Sequence, residues 1–158
     1  MKKSPIIVVL ALFACLISTA QIPQATPLKD GDVAKFIRTY EPLKSDLEGL
    51  GEEFDEAKDF GAMQALAANE KVKSIFQKHG WDDQWIGKFM SISIAYSLIK
   101  IEKEVAALPE EERKQQEQYM AAYSVQMKSM ITDADIEKVK KKFDELDPIF
   151  LEEENEDY

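Results

Sequence analysis

Between Trp85 and Ile101, apolar side chains fall on two adjacent helical stripes, and nothing else in the chain constrains the fold as strongly. Trp85, Phe89, Ile92, Tyr96 and Ile99 form one stripe at steps of 4, 3, 4 and 3, and Ile86, Met90, Ile94 and Ile101 lie beside it. A helix that is apolar on more than one face has to be covered from several sides. A helix from about Gln84 to Leu108 is therefore expected at the centre of the molecule. Its small residues, Gly87, Ser91, Ser93, Ala95 and Ser97, let neighbours come close. Lys88, Ser91, Ser93 and Lys100 interrupt the apolar run too often for a membrane span, which needs roughly 20 predominantly apolar residues.

The same three-and-four stepping recurs on both sides of this helix. Phe36, Tyr40, Leu43, Leu47, Leu50 and Phe54 follow Asp30-Gly31-Asp32, where either aspartate can cap a helix start. Pro42 removes one backbone bond from that helix and is expected to bend it. Asp59 to Ala68 reads as a short helix, and Asn69 as the cap of the next, which carries Val72, Ile75 and Phe76. His79-Gly80-Trp81 closes that stretch: Gly80 suits the left-handed position after a helix, and Trp81 the apolar residue that follows it. Asp82 or Asp83 then caps the central helix at once.

Beyond it, Pro109 followed by Glu110, Glu111 and Glu112 suits a helix start, since Pro is tolerated in the first turn and acids answer the dipole there. That helix is polar from Glu110 to Gln118 and apolar only at Tyr119, Met120, Tyr123, Met127 and Met130. Thr132-Asp133-Ala134-Asp135 resembles a capping box with Asp in place of Glu. It opens a last helix through Ile136, Val139, Phe143 and Leu146, disturbed at Pro148. No alternating strand pattern appears anywhere. The expected fold class is all-α: about five helices in a mainly antiparallel bundle, forming a single domain over residues 30–151.

The flanks read differently. Met1-Lys2-Lys3 is a basic head, Ile6 to Ile17 an apolar run, and Ser18-Thr19-Ala20 a small-residue exit, the order of a bacterial secretory signal peptide cleaved after Ala20. The expected location is thus periplasmic or secreted. The alternative is acylation of Cys15, the chain's one cysteine, within the lipobox-like Leu12-Phe13-Ala14-Cys15, which would make a membrane-anchored lipoprotein. Residues 21–29, with Pro23 and Pro27, read as a flexible leader. Residues 152–158 read as an acidic disordered tail.

The chain's net charge is −10, and it becomes −12 once the two lysines of residues 1–20 are removed. Such a charge opposes nucleic acid and favours a cationic partner if charge governs recognition.

Candidate chemistry is sparse. His79 is the sole histidine and Cys15 the sole cysteine, which excludes His-rich zinc sites and Cys-x-x-Cys-His haem attachment. Its expected role is to bond terminal helix carbonyls. Met127 and Met130 offer soft thioethers, but their apolar stripe makes them packing residues. Asp133 and Asp135 mimic a calcium loop whose required glycine is replaced by Lys138. Trp81, Trp85, Phe89, Tyr96, Tyr119 and Tyr123 are the residues able to line a pocket between helices. No catalytic, cofactor or metal set emerges, so the chain reads as non-enzymatic. The leading expectation is a binding protein of the envelope, including an inhibitor or immunity protein for a basic partner. The alternative is a carrier of a small hydrophobic ligand in an inter-helix cavity.

Overall fold

Helix-forming stretches and their punctuation account for the architecture of the computed structural model, which describes residues 25–50 and 68–156. The helices are α1 (Asp32–Glu48), α2 (Glu70–Lys78), α3 (Trp85–Ala106), α4 (Glu110–Lys128), α5 (Asp133–Lys140) and α6 (Phe143–Glu156). No strand occurs among the described residues, and the fold is all-helical as the periodicity requires. The segment 1–20 and most of the helix expected over 59–68 lie outside the described residues.

The helix count exceeds five because the last expected helix is two. The chain turns at Lys141-Lys142, with the Lys142 N–H bonded to the Val139 carbonyl at 2.9 Å, before α6 begins. The apolar steps 136, 139, 143 and 146 continue across this turn, so spacing alone cannot report it. At its far end α6 runs through Glu156, into the stretch expected to be a disordered tail.

Local rules place the helix ends well. The Asn69 side chain accepts from the N–H groups of Lys71 and Val72. Gly80 has φ 79°, its N–H bonds the Gln77 carbonyl, and the Trp81 N–H bonds that of Phe76, both at 2.9 Å. Those two bonds are a complete Schellman ending. Thr132 and Asp135 form the expected capping box at α5. Three starts differ from expectation. Gln84, and neither Asp82 nor Asp83, is the N-cap of α3, and it makes no side-chain cap bond; Asp82 Oδ1 accepts from the Gln84 N–H one residue earlier, at 3.1 Å. Gly31, at φ 89°, takes the N-cap position of α1, and the Asp32 carboxylate turns back to accept from Lys29 N–H at 2.8 Å. Pro109 caps α4 from one residue before its first turn.

α3 is the centre. Ile92, Ile94, Ala95 and Leu98 are essentially without solvent contact, and one continuous core joins them to Phe36 and Leu43 of α1, Phe76 of α2, Met127 of α4, Val139 of α5 and Leu146 of α6. α3 packs most extensively on α5 and next on α4.

Residues 25–29 are no flexible leader but a strap laid across α3 and α5. Thr26 N–H donates to the Gly87 carbonyl at 3.0 Å, and Ser91 Oγ donates to the Thr26 carbonyl at 2.7 Å. Leu28 is buried, its N–H donates to Asp135 Oδ1 at 2.8 Å, and Lys138 Nζ donates to its carbonyl. The bonded residues alternate, as an extended chain requires. Pro27, which has no N–H to satisfy, falls on the exposed position between them.

Under the strap lies a buried cation. Lys88 is 2% exposed, its ammonium 2.7 Å from Asp82 Oδ2 and 3.6 Å from Asp32 Oδ2. The hydrogen bond from Lys88 holds the Asp82 carboxyl below the ordinary 3.8. Lys88, read in sequence as a break in the apolar stripe, is the ionic tie between α1, the α2–α3 turn and α3.

Candidate functional site

α3 and α4 are joined by a short turn, yet their side chains do not close the space between them. Ile101 and Val105 on α3 and Met120 on α4 make a small buried cluster separate from the main core. Above that floor opens a cleft of about 470 Å³. α3 contributes Ile101, Glu102, Val105 and Ala106, and α4 contributes Arg113, Lys114, Glu117, Met120, Ala121 and Ser124. The α4 positions 113, 117, 120 and 124 step 4, 3, 4, so one stripe of the helix faces the opening.

The cause is compositional. α4 is anchored at its far end by Met127, 2% exposed in the main core. Its first half, from Glu110 to Gln118, supplies no apolar side chain to draw it inward.

Charges ring the cleft, most of them already answered. Lys128 Nζ donates to Glu102 Oε1 at 3.1 Å and Lys114 Nζ to Glu110 Oε1 at 2.8 Å. These are exposed pairs of small energetic worth. Arg113 is answered too, more loosely: its Nε stands 3.7 Å from Glu117 Oε1, an exposed ion pair one helical turn along and beyond hydrogen-bonding range.

The sequence-predicted pocket residues lie elsewhere. Trp81, Trp85 and Phe89 do come together, with ring centroids 4.9 Å apart for Trp81–Phe89 and 5.9 Å for Trp85–Phe89. Phe76 stacks on Trp85 at 3.6 Å, and Phe36 meets Phe89 edge-on at 4.7 Å. These rings fill the junction of α1, α2 and α3, where the Trp81 indole N–H donates to Thr39 Oγ1 at 3.0 Å. Tyr96 belongs to another stack, 5.1 Å from Phe143 and 4.2 Å from Phe150, and its hydroxyl donates to Asp147 Oδ1 at 2.7 Å. Tyr119 and Tyr123 are on α4, and their side chains lie outside the described set. Met127 lies in the main core and Met130 packs against it, as their apolar stripe suggests, while Met120 belongs to the smaller cluster.

His79 forms a second polar group, with a partner the sequence did not suggest. Its Nε2 lies 2.7 Å from Asp46 Oδ2, the same oxygen that accepts from Lys78 Nζ at 2.7 Å. The Lys78 bond, then the His79 bond, holds Asp46 below its ordinary 3.8. A carboxylate only accepts, so Nε2 carries the proton in this contact. No hydroxyl or thiol among the described residues bonds the other ring nitrogen, and the group joins the end of α1 to that of α2. Asp135, one of the calcium-loop mimics, spends its carboxylate on Thr132 and Leu28. Among the described residues, no group of three or more His, Cys, Asp or Glu side chains is disposed to hold a metal ion.

Among the described residues, no helix is long and apolar enough to cross a membrane. No family model, curated protein or solved structure matches the chain. The cleft, the strap and the paired histidine stand on their own geometry. Arg113 and the cleft floor escaped sequence reasoning because α4's polar half reads as a solvated face. The available signal was the return of Met120 to the stripe that carries Arg113 and Glu117.

Proposed function

We propose that this chain is an exported, non-enzymatic helical binding protein of the bacterial envelope, and that it engages a cationic partner protein at the α3–α4 cleft. The observation that carries the reading is the cleft itself: an apolar floor between two helices, walled by the sparsely anchored start of α4. The charge of −10 supports a basic partner, because complementary potentials speed encounter and reject wrong partners. An inhibitor or immunity role toward a basic toxin or hydrolase is the narrower form of this reading. The test is capture from envelope extracts on the immobilised protein, alongside Ala121→Arg, which places a cation in the cleft wall. A basic protein should be retained at low salt, released at high salt and lost from the variant. Retention that ignores both salt and the variant, or none at all, defeats the partner reading.

A second reading has an observation of its own. The floor of Ile101, Val105 and Met120 is separated from the main core and opens onto a cleft within the roughly 300–1,000 Å³ range of ligand pockets. It favours a carrier of a small hydrophobic ligand, placed here and not among the rings of Trp81, Trp85 and Phe89.

A further inference from the structure

We infer that the groove between α3 and α5 is a recognition site for an extended peptide, held here by the chain's own strap, and that the strap of a second copy of this chain is its partner in trans.

The groove reads backbone, chiefly with side chains. Gly87 offers its carbonyl to Thr26 N–H at 3.0 Å, and no side chain at that position holds the strap away. Ser91 Oγ donates to the Thr26 carbonyl at 2.7 Å, Asp135 Oδ1 accepts from Leu28 N–H at 2.8 Å, and Lys138 Nζ donates to the Leu28 carbonyl. Ser91 and Asp135 are 1% and 2% exposed, and both are fixed by bonds that do not involve the strap. Ser91 Oγ shares its proton with the Gly87 carbonyl, 3.0 Å away in α3, and Asp135 Oδ2 accepts from Thr132 N–H at 3.1 Å and from its hydroxyl at 2.7 Å. A site whose polar groups are positioned before its ligand arrives loses less on binding. Main-chain bonds give such a site affinity for extended segments, and a side-chain pocket selects among them. Leu28, 4% exposed, fills that pocket.

The occupant is separable. Of residues 25–29 only Leu28 is buried; Pro27 and Lys29 are exposed, and Ala25 and Thr26 half-buried. The junction with α1 is a bend at Gly31, φ 89°, preceded by the exposed Asp30. Rotation there lifts the strap without disturbing a helix. An identical strap makes identical bonds, so exchange between copies trades contacts in cis for the same contacts in trans, a low-cost route to a pair. At low concentration the cis form wins, because a short tether supplies an effective concentration on the order of millimolar. Pairing therefore requires a concentrated chain or a groove whose own strap is displaced.

The experiment uses full-length variants, with circular dichroism to report folding. Leu28→Asp puts a carboxylate in the apolar pocket and empties the groove, and Leu28→Ala is the milder form. Asp135→Ala frees an intact strap and weakens its groove. A capped peptide copying Gln24 to Asp30 is titrated into Leu28→Asp by calorimetry and is expected to bind one to one. N-methylation at the position of Leu28 removes the donor to a carboxylate and should weaken the peptide about 10- to 150-fold. The same change at the position of Thr26 should weaken it about 2- to 10-fold. Alanine in place of its proline should cost no more than about fivefold, the effect of a freer unbound chain. In sedimentation, Leu28→Asp and Asp135→Ala should each be monomeric alone and form a 1:1 pair when mixed, one supplying the groove and the other the strap. If the peptide does not bind the folded variant, or N-methylation at Leu28 leaves it unweakened, the groove is not a peptide site. If both Leu28 variants unfold, the strap is inseparable from the core and the inference is overturned. If the peptide binds but the mixed variants stay monomeric, the second copy is overturned as the occupant.

Discussion

The first fifteen residues of α3 and its last two turns differ in what covers them, although both carry β-branched apolar residues. From Trp85 to Ile99 the helix meets the strap, the aromatic rings of α1 and α2, and the apolar faces of α5 and α6. From Ile101 onward, among the described residues, its buried apolar side chains Ile101 and Val105 cluster with Met120 of α4, apart from the main core. The well-covered part also carries the costly features: a buried ammonium, and a strap tied down through both backbone groups of Thr26 and of Leu28. The open end carries exposed ion pairs and a cleft. Stability is concentrated where the chain invests polar groups in burial, and the proposed binding cleft lies where a polar helix start fails to close a gap.

Equivalent substitutions on the two parts of α3 should separate them most strongly. Ile92→Ala removes a side chain with no solvent exposure from a closed core and should cost about 4 kcal/mol. Ile101→Ala removes the same atoms beside an existing opening and should cost about 2 kcal/mol. Urea denaturation of both variants measures the difference, and equal losses would mean that the cleft closes in solution.

Lys88→Ala comes next, at about 3 kcal/mol, because it leaves the buried Asp32 carboxylate without its cation. Asp82, half exposed, can recover water, so the neutralising Asp82→Asn should cost less than 1 kcal/mol, roughly. Reversal of that order would place the ionic tie at the surface.

Asp135→Ala should cost about 2 kcal/mol, since it removes the capping box and the Leu28 anchor together. Amide exchange at Thr26 and Leu28 should rise by more than at Val139, the mark of a strap released from an intact core. A uniform rise would show global loosening instead.

The smallest effect is with pH. Asp82 titrates below its ordinary 3.8 in the folded chain because Lys88 bonds its carboxylate. Its contribution is therefore fully present above the unfolded value and is lost as pH falls through the lower folded one. Acid titration of wild type and Asp82→Asn should converge below pH 3.8, by less than about 1 kcal/mol given the exposure of Asp82. Curves that stay parallel throughout would remove Asp82 from the tie.

Local chemistry was legible in the sequence, and relations between distant segments were not. At the helix ends Asn69, Gly80, Trp81, Thr132 and Asp135 act on groups within five residues of themselves, so those roles follow from spacing, whereas the Trp81–Thr39 and Asp135–Leu28 bonds do not. The central burial of α3 follows from its two stripes. The strap was misread because Pro23 and Pro27 suggest a free segment, while its partners, Gly87, Ser91, Asp135 and Lys138, lie far along the chain. Lys88 was misread because burial of a lysine depends on acids brought in from α1 and the α2–α3 turn. Asp46 and His79 are likewise joined only once α1 and α2 pack. The cleft had no sequence signature of its own, because it is a gap left between two surfaces, each ordinary alone.

Amide hydrogen exchange resolved along α3 and α4 tests the contrast most directly. Residues 88–99 should exchange only through global unfolding, while residues 111–121 should open locally and exchange orders of magnitude faster. Equal protection across the two segments would contradict an open end on this helix, and with it the cleft as a binding site.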